Sequence, residues 1–524
     1  MLIAAGHRSY PFQASRRVYR LVTWSLISVG LFIAVGPASI FAAPIGKRPN
    51  IVFVITDDQG YGDLGRHGNP ILKTPNLDKL YDESVRFTDF HVSPTCSPTR
   101  SAIMTGRHEF KNGVTHTIQE RERLTLGATT IAQLLKQAGY RTGIFGKWHL
   151  GDEDAYQPGR RGFDEVFIHG AGGIGQTYPG SCGDAPANRY FDPAILHNGV
   201  FEKTSGYCTD VFFNQAMKWI EQADGQTPFF AYIATNAPHA PLDCPERYEA
   251  MYRGQVPENV AKFLGMVTNI DDNIGRLLAK LKERKIDEQT LVIFMNDNGG
   301  TAGVNVFNAG MRAQKGTPYL GGTRAMSLWR WPGVLQPHDV SQLAAHIDYF
   351  PTLATLAEAK LPPEVTKQVE GYSLLPLLRG EKVEWPDRML FTHVGRWPTG
   401  AAAEHKFSNC SVRWRNYHLV RTRPLNNPKQ KNKQAPSPDS GWQLYDVSRD
   451  IGEQQNLASE QSDIVTKLTA AYDTWWQSAL PGMVNEQAGA DAPKINPFHE
   501  RYWKQYRGPG PNGVAPPAGF LSGN

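Results

Sequence analysis

The chain has 524 residues, of which 40% are hydrophobic and 20% charged, and its formal net charge is +5. A single hydrophobic core seldom extends past about 300 residues, so this length predicts one large domain with a smaller companion. Four arginines at positions 8 to 20 are the only charged residues before Ala43, and removing them leaves a net charge of +1. A near-neutral chain lacks the basic field that nucleic-acid binding requires, and we expect no nucleic-acid partner.

The N-terminal segment 1–43 has the organisation of a targeting sequence. Basic residues precede the apolar stretch 21–35, and small residues end at Ala43, which is typical of a secretory signal peptide. This pattern predicts export to the periplasm or the extracellular space. Ile40 and Phe41 lie where a cleavage site prefers small residues, so an uncleaved N-terminal membrane anchor is the alternative.

Four apolar runs of the chain are each followed at once by polar residues. Continuous apolar runs are typical of parallel strands buried on both faces, and ligands bind at the carboxyl ends of such strands. The polar residues therefore predict one shared site at one edge of a sheet. The runs 51–56, 141–145, 229–235 and 291–295 end before Asp57-Asp58, Lys147 and His149, Pro238-His239, and Asp297-Asn298, respectively.

Amphipathic helices are predicted between these strands. Apolar residues recur at helical spacing over 131–138, between a threonine cap and Gly139, and again over 267–281. Strands that alternate with helices indicate an α/β fold with a doubly wound, mostly parallel sheet flanked by helices. We assign this domain to residues 48–380.

The character of the chain changes after about residue 380. Short alternating runs at 411–422 and 442–447 predict antiparallel strands, and a helical pattern follows over 464–476. We therefore expect a smaller C-terminal domain, residues 381–485, made of an antiparallel sheet and a helix. The Lys-, Asn- and Pro-rich stretch 424–440 is predicted to be a loop, and the tail 486–524 to be extended and partly disordered.

A cysteine-containing motif, P-T-C-S-P-T-R-S-A-I-M-T-G, occupies residues 94–106. Ser97 can cap a helix, Pro98 suits the first helical position and Gly106 can end the helix, so Cys96 is predicted at a helix start where an anion is favoured. Arg100 lies one turn further on. On these grounds alone, the alternative is a half-buried cysteine that behaves as a small apolar residue.

The string C-x-P-x-R-x-x-x-x-T-G within this motif resembles the signature of the type I sulfatases, which belong to the alkaline-phosphatase-like superfamily. Residues 139–149, G-Y-R-T-G-I-F-G-K-W-H, resemble the second signature of that family. The resemblance implies an alkaline-phosphatase-like fold. It also implies that a formylglycine-generating maturation enzyme converts Cys96 to formylglycine.

Two further segments, 236–241 around His239 and 314–319 around Lys315, resemble family segments that carry catalytic residues. The resemblance implies that Lys147 binds a sulfate oxygen and that His149 assists release of the sulfo-enzyme. His239 and Lys315 would bind the ester oxygen and protonate the leaving alcohol, and Arg100 would hold the formylglycine diol. Leu320 stands where relatives often carry Glu before Gly-Gly, so we expect this segment to lack the supporting contact of that Glu.

The acidic residues at the strand ends predict a metal site. Asp57, Asp58, Asp297 and Asn298 offer hard oxygen ligands without a cluster of thiols or histidines, so we expect Ca²⁺, with Mg²⁺ as the alternative, rather than Zn²⁺. The family resemblance implies the same ligands and adds the formylglycine formed from Cys96. Asn296 stands where many relatives have Ser or Thr.

The remaining cysteines suit an oxidising compartment. Cys182, Cys208, Cys244 and Cys410 make an even set once Cys96 is set aside, and they allow three pairings. We expect Cys182 to pair with Cys208 across a Gly-rich loop, and Cys244 with Cys410 between the two domains. Four isolated thiols are the alternative.

Together these patterns predict an exported enzyme that hydrolyses sulfate monoesters, with sulfated saccharides or aryl sulfates as substrates. Phosphoester or phosphonate hydrolysis in the same superfamily, thiol-based hydrolysis at Cys96 and a non-catalytic secreted binding protein are the alternatives. The sequence does not identify the substrate. A further set of residues either lines an opening for sugars or packs in the core: Trp329, Trp331, His393, Arg396 and Trp397.

Overall fold

A computed structural model of the protein describes residues 48–422, 441–488 and 495–522. The predicted leader, 1–43, and the predicted loop, 424–440, lie outside the described residues. Among the described residues, no helix is both long and apolar enough to cross a membrane.

The described strands form one large, one small and one two-stranded sheet. They are β1 (Asn50–Thr56), β2 (Val85–Phe87), β3 (Phe90–His91), β4 (Arg141–Lys147), β5 (Glu165–His169), β6 (Ala194–His197), β7 (Val200–Lys203), β8 (Phe229–Ala234), β9 (Thr290–Asn296), β10 (Ser327–Arg330), β11 (His338–Val340), β12 (Ala344–Ala345), β13 (Met389–His393), β14 (Cys410–Trp414), β15 (Tyr417–Arg421) and β16 (Gln443–Asp446).

The α-helices alternate with these strands through the first two thirds of the chain. They are α1 (Pro75–Asp82), α2 (Cys96–Thr105), α3 (Ile131–Gln137), α4 (Cys208–Glu221), α5 (Glu246–Glu249), α6 (Glu258–Glu283), α7 (Leu320–Thr323), α8 (Tyr349–Leu356), α9 (Pro363–Gln368), α10 (Leu375–Leu378), α11 (Ser462–Ala479) and α12 (Pro497–Tyr506).

The large sheet has ten strands in the order β11-β2-β10-β9-β1-β8-β4-β5-β6-β7. Its five central strands, from β9 to β5, are parallel, and β10 and β6 flank them in antiparallel pairing. The predicted strands at 51–56, 141–145, 229–235 and 291–295 correspond to β1, β4, β8 and β9. The predicted doubly wound, mostly parallel sheet is therefore confirmed.

Side chains of β1 alternate between two hydrophobic cores. Phe53 joins the core on one face of the sheet, with Leu134 of α3. Val54 joins the core on the other face, with Phe212 of α4 and Leu277 of α6. Successive strand residues point to opposite faces, so a central strand covered by helices on both sides must be apolar at every position. This is why residues 51–55 of β1 form a continuous apolar run.

The small sheet, β13-β14-β15-β16, is antiparallel, as predicted for the region after residue 380. It packs against α11 around Tyr472 and Trp476, which share a core with Val412 of β14. Phe110, from the segment after α2, is buried in the same core. The large and small sheets are therefore joined by apolar packing.

The tail differs from its prediction. Residues 497–506 form α12, and Phe498 and Tyr502 are fully buried. Both rings contact Phe201 of β7, with centroid distances of 5.8 and 5.3 Å. Aromatic residues one turn apart give α12 an apolar face that covers the end of the sheet. The prediction of an extended tail rested on the Gly- and Pro-rich composition of the segment after α12, which does not extend into the helix.

The predicted disulfides are also wrong, because all five cysteines are free thiols in the structure. Cys182 lies in a loop, whereas Cys208 and Cys244 belong to the core beneath α4 and α6. Cys410 is buried in the separate core of the small sheet. Neither expected pairing therefore has its two cysteines in the same core.

Candidate active site

The central strands deliver their polar residues to one edge of the large sheet. Asp57 follows β1 directly, Lys147 ends β4 and Asp297 follows β9. The strands β9, β1, β8 and β4 are consecutive neighbours, so their carboxyl ends converge. The structure brings all the predicted site residues together in one linked group: Asp57, Asp58, Cys96, Arg100, Lys147, His149, His239, Asp297, Asn298 and Lys315.

Cys96 is the first residue of α2 and is almost fully buried. The predicted cap is wrong, because Ser97 lies inside the helix and donates a 3.3 Å hydrogen bond to the carbonyl of Glu122. Burial alone would raise the pKa of the Cys96 thiol, but the charges of Lys147 and Lys315 outweigh it and lower that pKa. The site is therefore electropositive where Cys96 enters it.

Each of three buried carboxylates has its own cationic partner. The ammonium group of Lys147 donates to Asp57 Oδ2 at 2.6 Å. Arg100 donates to Asp297 Oδ2 from Nε and Nη2, at 3.1 and 2.7 Å.

The third pair joins Lys315 to Asp58. Burial by itself would raise the pKa of the Asp58 carboxyl, yet Lys315 and His239 outweigh it and hold this pKa below its usual range. The three pairs compensate charges that would otherwise be costly to bury.

Two buried oxygen atoms of the site residues have no hydrogen-bond partner in the protein. Asp57 Oδ1 and Asn298 Oδ1 are buried and accept no hydrogen bond. One ligand atom from each of Asp57, Cys96 and Asp297 lies within 4.8 Å of the others, and Asp57, Asp58 and His239 form a second such group. Burial raises the pKa of Asp57 to about 6, although Lys147 opposes the rise. These acidic groups are close enough to hold a metal ion, and their oxygens suit a hard cation.

His149 is held with one ring nitrogen available. Its Nε2 lies 2.8 Å from the carbonyl oxygen of Thr117, and a carbonyl only accepts, so Nε2 carries the proton. Nδ1 is buried and has no hydrogen-bond partner. Burial lowers the pKa of His149 well below its ordinary value, which keeps the ring neutral. The geometry therefore presents Nδ1 as a free acceptor.

His239 has the opposite tautomer. Nδ1 is 2.7 Å from the carbonyl oxygen of Ala240 and must donate to it, which leaves Nε2 as the acceptor. Nε2 lies 3.8 Å from Asp58 Oδ2. The two histidines thus offer different ring nitrogens to the site.

Several supporting residues had no signal in the sequence. Thr117 acts through its backbone carbonyl, which any residue possesses. Gly172 is required because a Cβ there would lie 2.5 Å from Cε1 of His149. Glu453, which is fully buried, accepts from the backbone N–H of Leu320 at 2.8 Å and pairs with His418 at 2.7 Å. Glu453 thus supports the segment in which Leu320 replaces the expected Glu.

Asn296 supports the turn that carries Asp297 and Asn298. Its side-chain amide donates to the carbonyl of Asn298 at 2.9 Å, and its Oδ1 accepts from the backbone N–H of Met326 at 2.7 Å. Asn296 therefore joins this turn to the chain that enters β10.

The aromatic residues considered for a sugar opening belong to the core. Trp329, Trp331, His393 and Trp397 are all buried, whereas Arg396 is exposed. Arg396 Nη2 donates to Thr117 Oγ1 at 3.0 Å. Of this set, only Arg396 lies on the surface beside the residue that holds His149.

A buried group of carboxylates, lysines and histidines at the carboxyl edge of an α/β sheet is chemically suited to bind an anionic ester. The Sulfatase family model matches residues 49–359, and the chain belongs to that family. It is therefore a sulfuric ester hydrolase, and it hydrolyses sulfate esters.

Curated relatives cover most of the chain. Arylsulfatase J of Mus musculus is 29% identical over 86% of this chain and 79% of its own. Arylsulfatase A of Homo sapiens is 32% identical over 79% and 84%. N-acetylgalactosamine-6-sulfatase of Canis lupus familiaris is 32% identical over 70% and 72%.

Solved structures share the fold. The crystal structure of Ps i-CgsB in complex with k-i-k-neocarrahexaose matches with a TM-score of 0.71 and 27% identity, over 82% of this chain and 93% of that one.

Proposed function

We propose that the protein is an exported, formylglycine-dependent sulfatase that cleaves sulfate monoesters of saccharides. The observation that carries this proposal is the position of Cys96. Its sulfur lies in one group with oxygens of Asp57 and Asp297, and the charges of Lys147 and Lys315 act on it. A cysteine used only for packing has no need of such surroundings.

Oxidation of Cys96 by a maturation enzyme would replace the thiol by an aldehyde, whose hydrate carries two hydroxyl groups. One hydroxyl attacks sulfur and expels the alcohol, and the other then loses its proton as the aldehyde re-forms and sulfate is released. Both oxygens of the hydrate would be bonded to Cβ of residue 96, in place of the Sγ atom of the unmodified cysteine. Its nearly complete burial limits competing reactions with water.

Four residues are suited to charge and proton transfer. Lys147 and Lys315 each have three N–H groups and one carboxylate partner, so donors remain for sulfate oxygens. His149 Nδ1 is a free acceptor and can take the proton from the hydrate during release. His239, once protonated at Nε2, can donate to the leaving alcohol.

A Ca²⁺ ion, or alternatively Mg²⁺, would be held by Asp57, Asp58, Asp297 and Asn298 together with the modified Cys96. The unpartnered oxygens of Asp57 and Asn298 support this assignment, as does the absence of a histidine-rich or thiol-rich ligand set at these positions. When bound, the ion supplies positive charge that stabilises the reacting anions. Arg100 already faces Asp297 and would help to hold the hydrate.

Saccharide substrates are favoured by the relatives. One is named for 6-sulfated N-acetylgalactosamine, and Ps i-CgsB was crystallised with neocarrahexaose. The targeting pattern of residues 1–43 supports export, and an uncleaved leader would tether the enzyme to a membrane.

The proposal is tested by measuring kcat/KM for matched sulfate and phosphate esters of one alcohol. Peptide mass spectrometry of the same preparation identifies the chemical form of residue 96. We expect formylglycine at that position and a kcat/KM at least 100-fold higher for the sulfate ester. Cys96→Ala is expected to abolish turnover and to keep the circular dichroism spectrum of the wild type. Active enzyme with only unmodified Cys96, or equal rates for both esters, would contradict the proposal.

A further inference from the structure

Arg396 is an exposed cation placed beside the catalytic machinery by a short chain of contacts. Its guanidinium donates to Thr117 Oγ1 at 3.0 Å, and the carbonyl oxygen of Thr117 accepts from His149 at 2.8 Å. Arg396 is therefore connected to the side chain of His149 by two hydrogen bonds, both made by Thr117. Arg396 reaches this position from the loop that follows β13 of the small sheet.

The backbone around Arg396 is fixed, although its side chain is exposed. Gly395 and Arg396 both have left-handed φ angles, 66° and 62°, and a Cβ on Gly395 would lie 2.2 Å from the carbonyl oxygen of Thr115. The same carbonyl accepts from the backbone N–H of Arg396 at 3.0 Å. A left-handed arginine is held by its surroundings rather than by its own preference, so the guanidinium is presented from a rigid support.

The next residue, Trp397, anchors this loop. Its indole is buried and donates to Glu486 Oε2 at 2.6 Å, and its carbonyl accepts from Arg121 at 2.6 Å. Little ordering would therefore be needed when Arg396 binds a ligand.

The charge of Arg396 is not matched by an acid. Among the residues that the structure describes, the guanidinium makes no ion pair and one hydrogen bond, whereas Arg100, Lys147 and Lys315 each have a carboxylate partner. Four of its five N–H groups remain for a ligand. A planar fork of this kind matches the oxygens of a carboxylate or a sulfate group.

Two polar aromatic residues, His116 and Tyr178, lie close to Arg396. His116 Nδ1 accepts from the backbone N–H groups of Thr117 and Ile118, at 2.8 and 3.1 Å, so its half-exposed ring carries the proton on Nε2 and offers a donor. The hydroxyl of Tyr178 lies within electrostatic reach of both Cys96 and Arg396. A substrate bound at both Cys96 and Arg396 would therefore lie near these two rings, since His116 is close to Arg396 and His149, and Tyr178 is close to Cys96 and Arg396.

We propose that Arg396 binds a second anionic group of the substrate, a carboxylate or a further sulfate on the same saccharide, while the sulfate to be cleaved lies at Cys96. This proposal rests on the proposed function and makes the preferred substrates multiply charged saccharides. Arg396 is then a specificity-determining residue, because a substrate whose alcohol part is uncharged has no second anionic group for Arg396 to bind.

The test compares 4-nitrophenyl sulfate, which has no second anionic group, with a monosulfated monosaccharide and the same sugar carrying a second sulfate or a uronate carboxylate. We expect wild-type kcat/KM to be highest for a doubly anionic sugar. Arg396→Gln is expected to lower that preference over the monosulfated sugar at least tenfold, mainly through KM, and Arg396→Lys is expected to restore part of it.

Arg449→Gln is the matched control, because Arg449 is an exposed arginine in the segment after β16, at the other edge of the small sheet from Arg396, with 88% of its side chain accessible. This variant is expected to keep the wild-type preference for the doubly anionic sugar over the monosulfated sugar. Thr117→Val removes the acceptor of Arg396 and keeps the carbonyl that holds His149.

Equal losses of kcat on all substrates in Arg396→Gln and Thr117→Val would assign Arg396 to the support of His149 and overturn the proposal. A wild-type enzyme without any preference for the doubly anionic sugar would also overturn it, while turnover of 4-nitrophenyl sulfate would leave the proposed function standing. If the wild type cleaved no sulfate ester, both proposals would be wrong.

Discussion

The orientation of His149 depends on two residues that carry no catalytic group. Thr117 fixes the tautomer by accepting from Nε2, and Gly172 leaves room for the ring. His149 itself has a left-handed φ of 58°, an unusual conformation for a non-glycine residue. The free Nδ1 is thus the outcome of a local arrangement that a single methyl group would disturb.

Gly172→Ala is expected to lower kcat at least tenfold, because the new Cβ would push the His149 ring out of position. Steady-state kinetics and thermal unfolding measure the effect, and we expect a much smaller change in Tm than in kcat. Gly127→Ala is the control, since its Cβ would meet no atom closer than 3.9 Å. Wild-type kcat in Gly172→Ala would show that the ring position is not critical.

The acidic residues of the site predict a dependence on a hard cation. Exhaustive chelation is expected to remove at least 90% of the activity, and Ca²⁺ is expected to restore more of it than Zn²⁺, because most of the available ligand atoms are carboxylate oxygens. Elemental analysis of the active enzyme measures the bound ion. Asp297→Ala should reproduce the chelated state. Active enzyme that contained zinc alone would contradict the oxygen-ligand argument.

At the level of elements, the short helix α7 is joined to the small sheet by Glu453. The carboxylate satisfies the N–H of Leu320, at the start of α7, and the ring of His418 in β15. Both carboxylate and imidazole are buried. The segment from Lys315 to α7 is therefore supported from the small sheet.

Glu453→Ala is expected to lower the free energy of unfolding by about 3 kcal/mol, because two buried donors lose their acceptor. Glu453→Gln keeps one acceptor oxygen and is expected to lose less. Urea denaturation measures both variants. Equal stability of Glu453→Ala and the wild type would mean that water replaces the carboxylate without cost.

Sequence patterns predict an element of this fold where the pattern of apolar residues is compatible with only one kind of buried element. The run 51–56 is predicted as a central strand, because its side chains from Ile51 to Ile55 are all apolar. α12 was missed because the Gly and Pro residues beyond it obscured its aromatic spacing. Glu453 and Thr117 could not be predicted, since one acts over more than 130 residues of separation and the other through its backbone. Pairing of the cysteines depended on which core each enters, which periodicity does not reveal.

On the scale of the whole molecule, Glu109 lies where the segment after α2 meets the small sheet and α11. Its Oε1 accepts from Ser93 Oγ at 2.7 Å, while the buried Oε2 has no hydrogen-bond partner. The neighbouring His108 packs on Trp475 of α11 with a centroid distance of 4.6 Å. Burial raises the pKa of Glu109 to about 7. The junction therefore contains a carboxyl group that favours its neutral form.

The stability of this junction is expected to depend on pH through Glu109. A carboxyl whose pKa is raised by folding stabilises the folded state most at pH values below its unfolded pKa of about 4.3, and this contribution is lost as the pH rises through about 7. Glu109→Gln has no such titration, so the free energy of unfolding of this variant should rise relative to that of the wild type between about pH 4.5 and 7, the interval between the unfolded and folded pKa values. The slope of the difference cannot exceed about 1.4 kcal/mol per pH unit for one proton. Urea denaturation at several pH values measures it, with the exposed Glu460→Gln as the control. A difference independent of pH would mean that Glu109 is ionised in the folded protein throughout this range, so that the junction tolerates its charge.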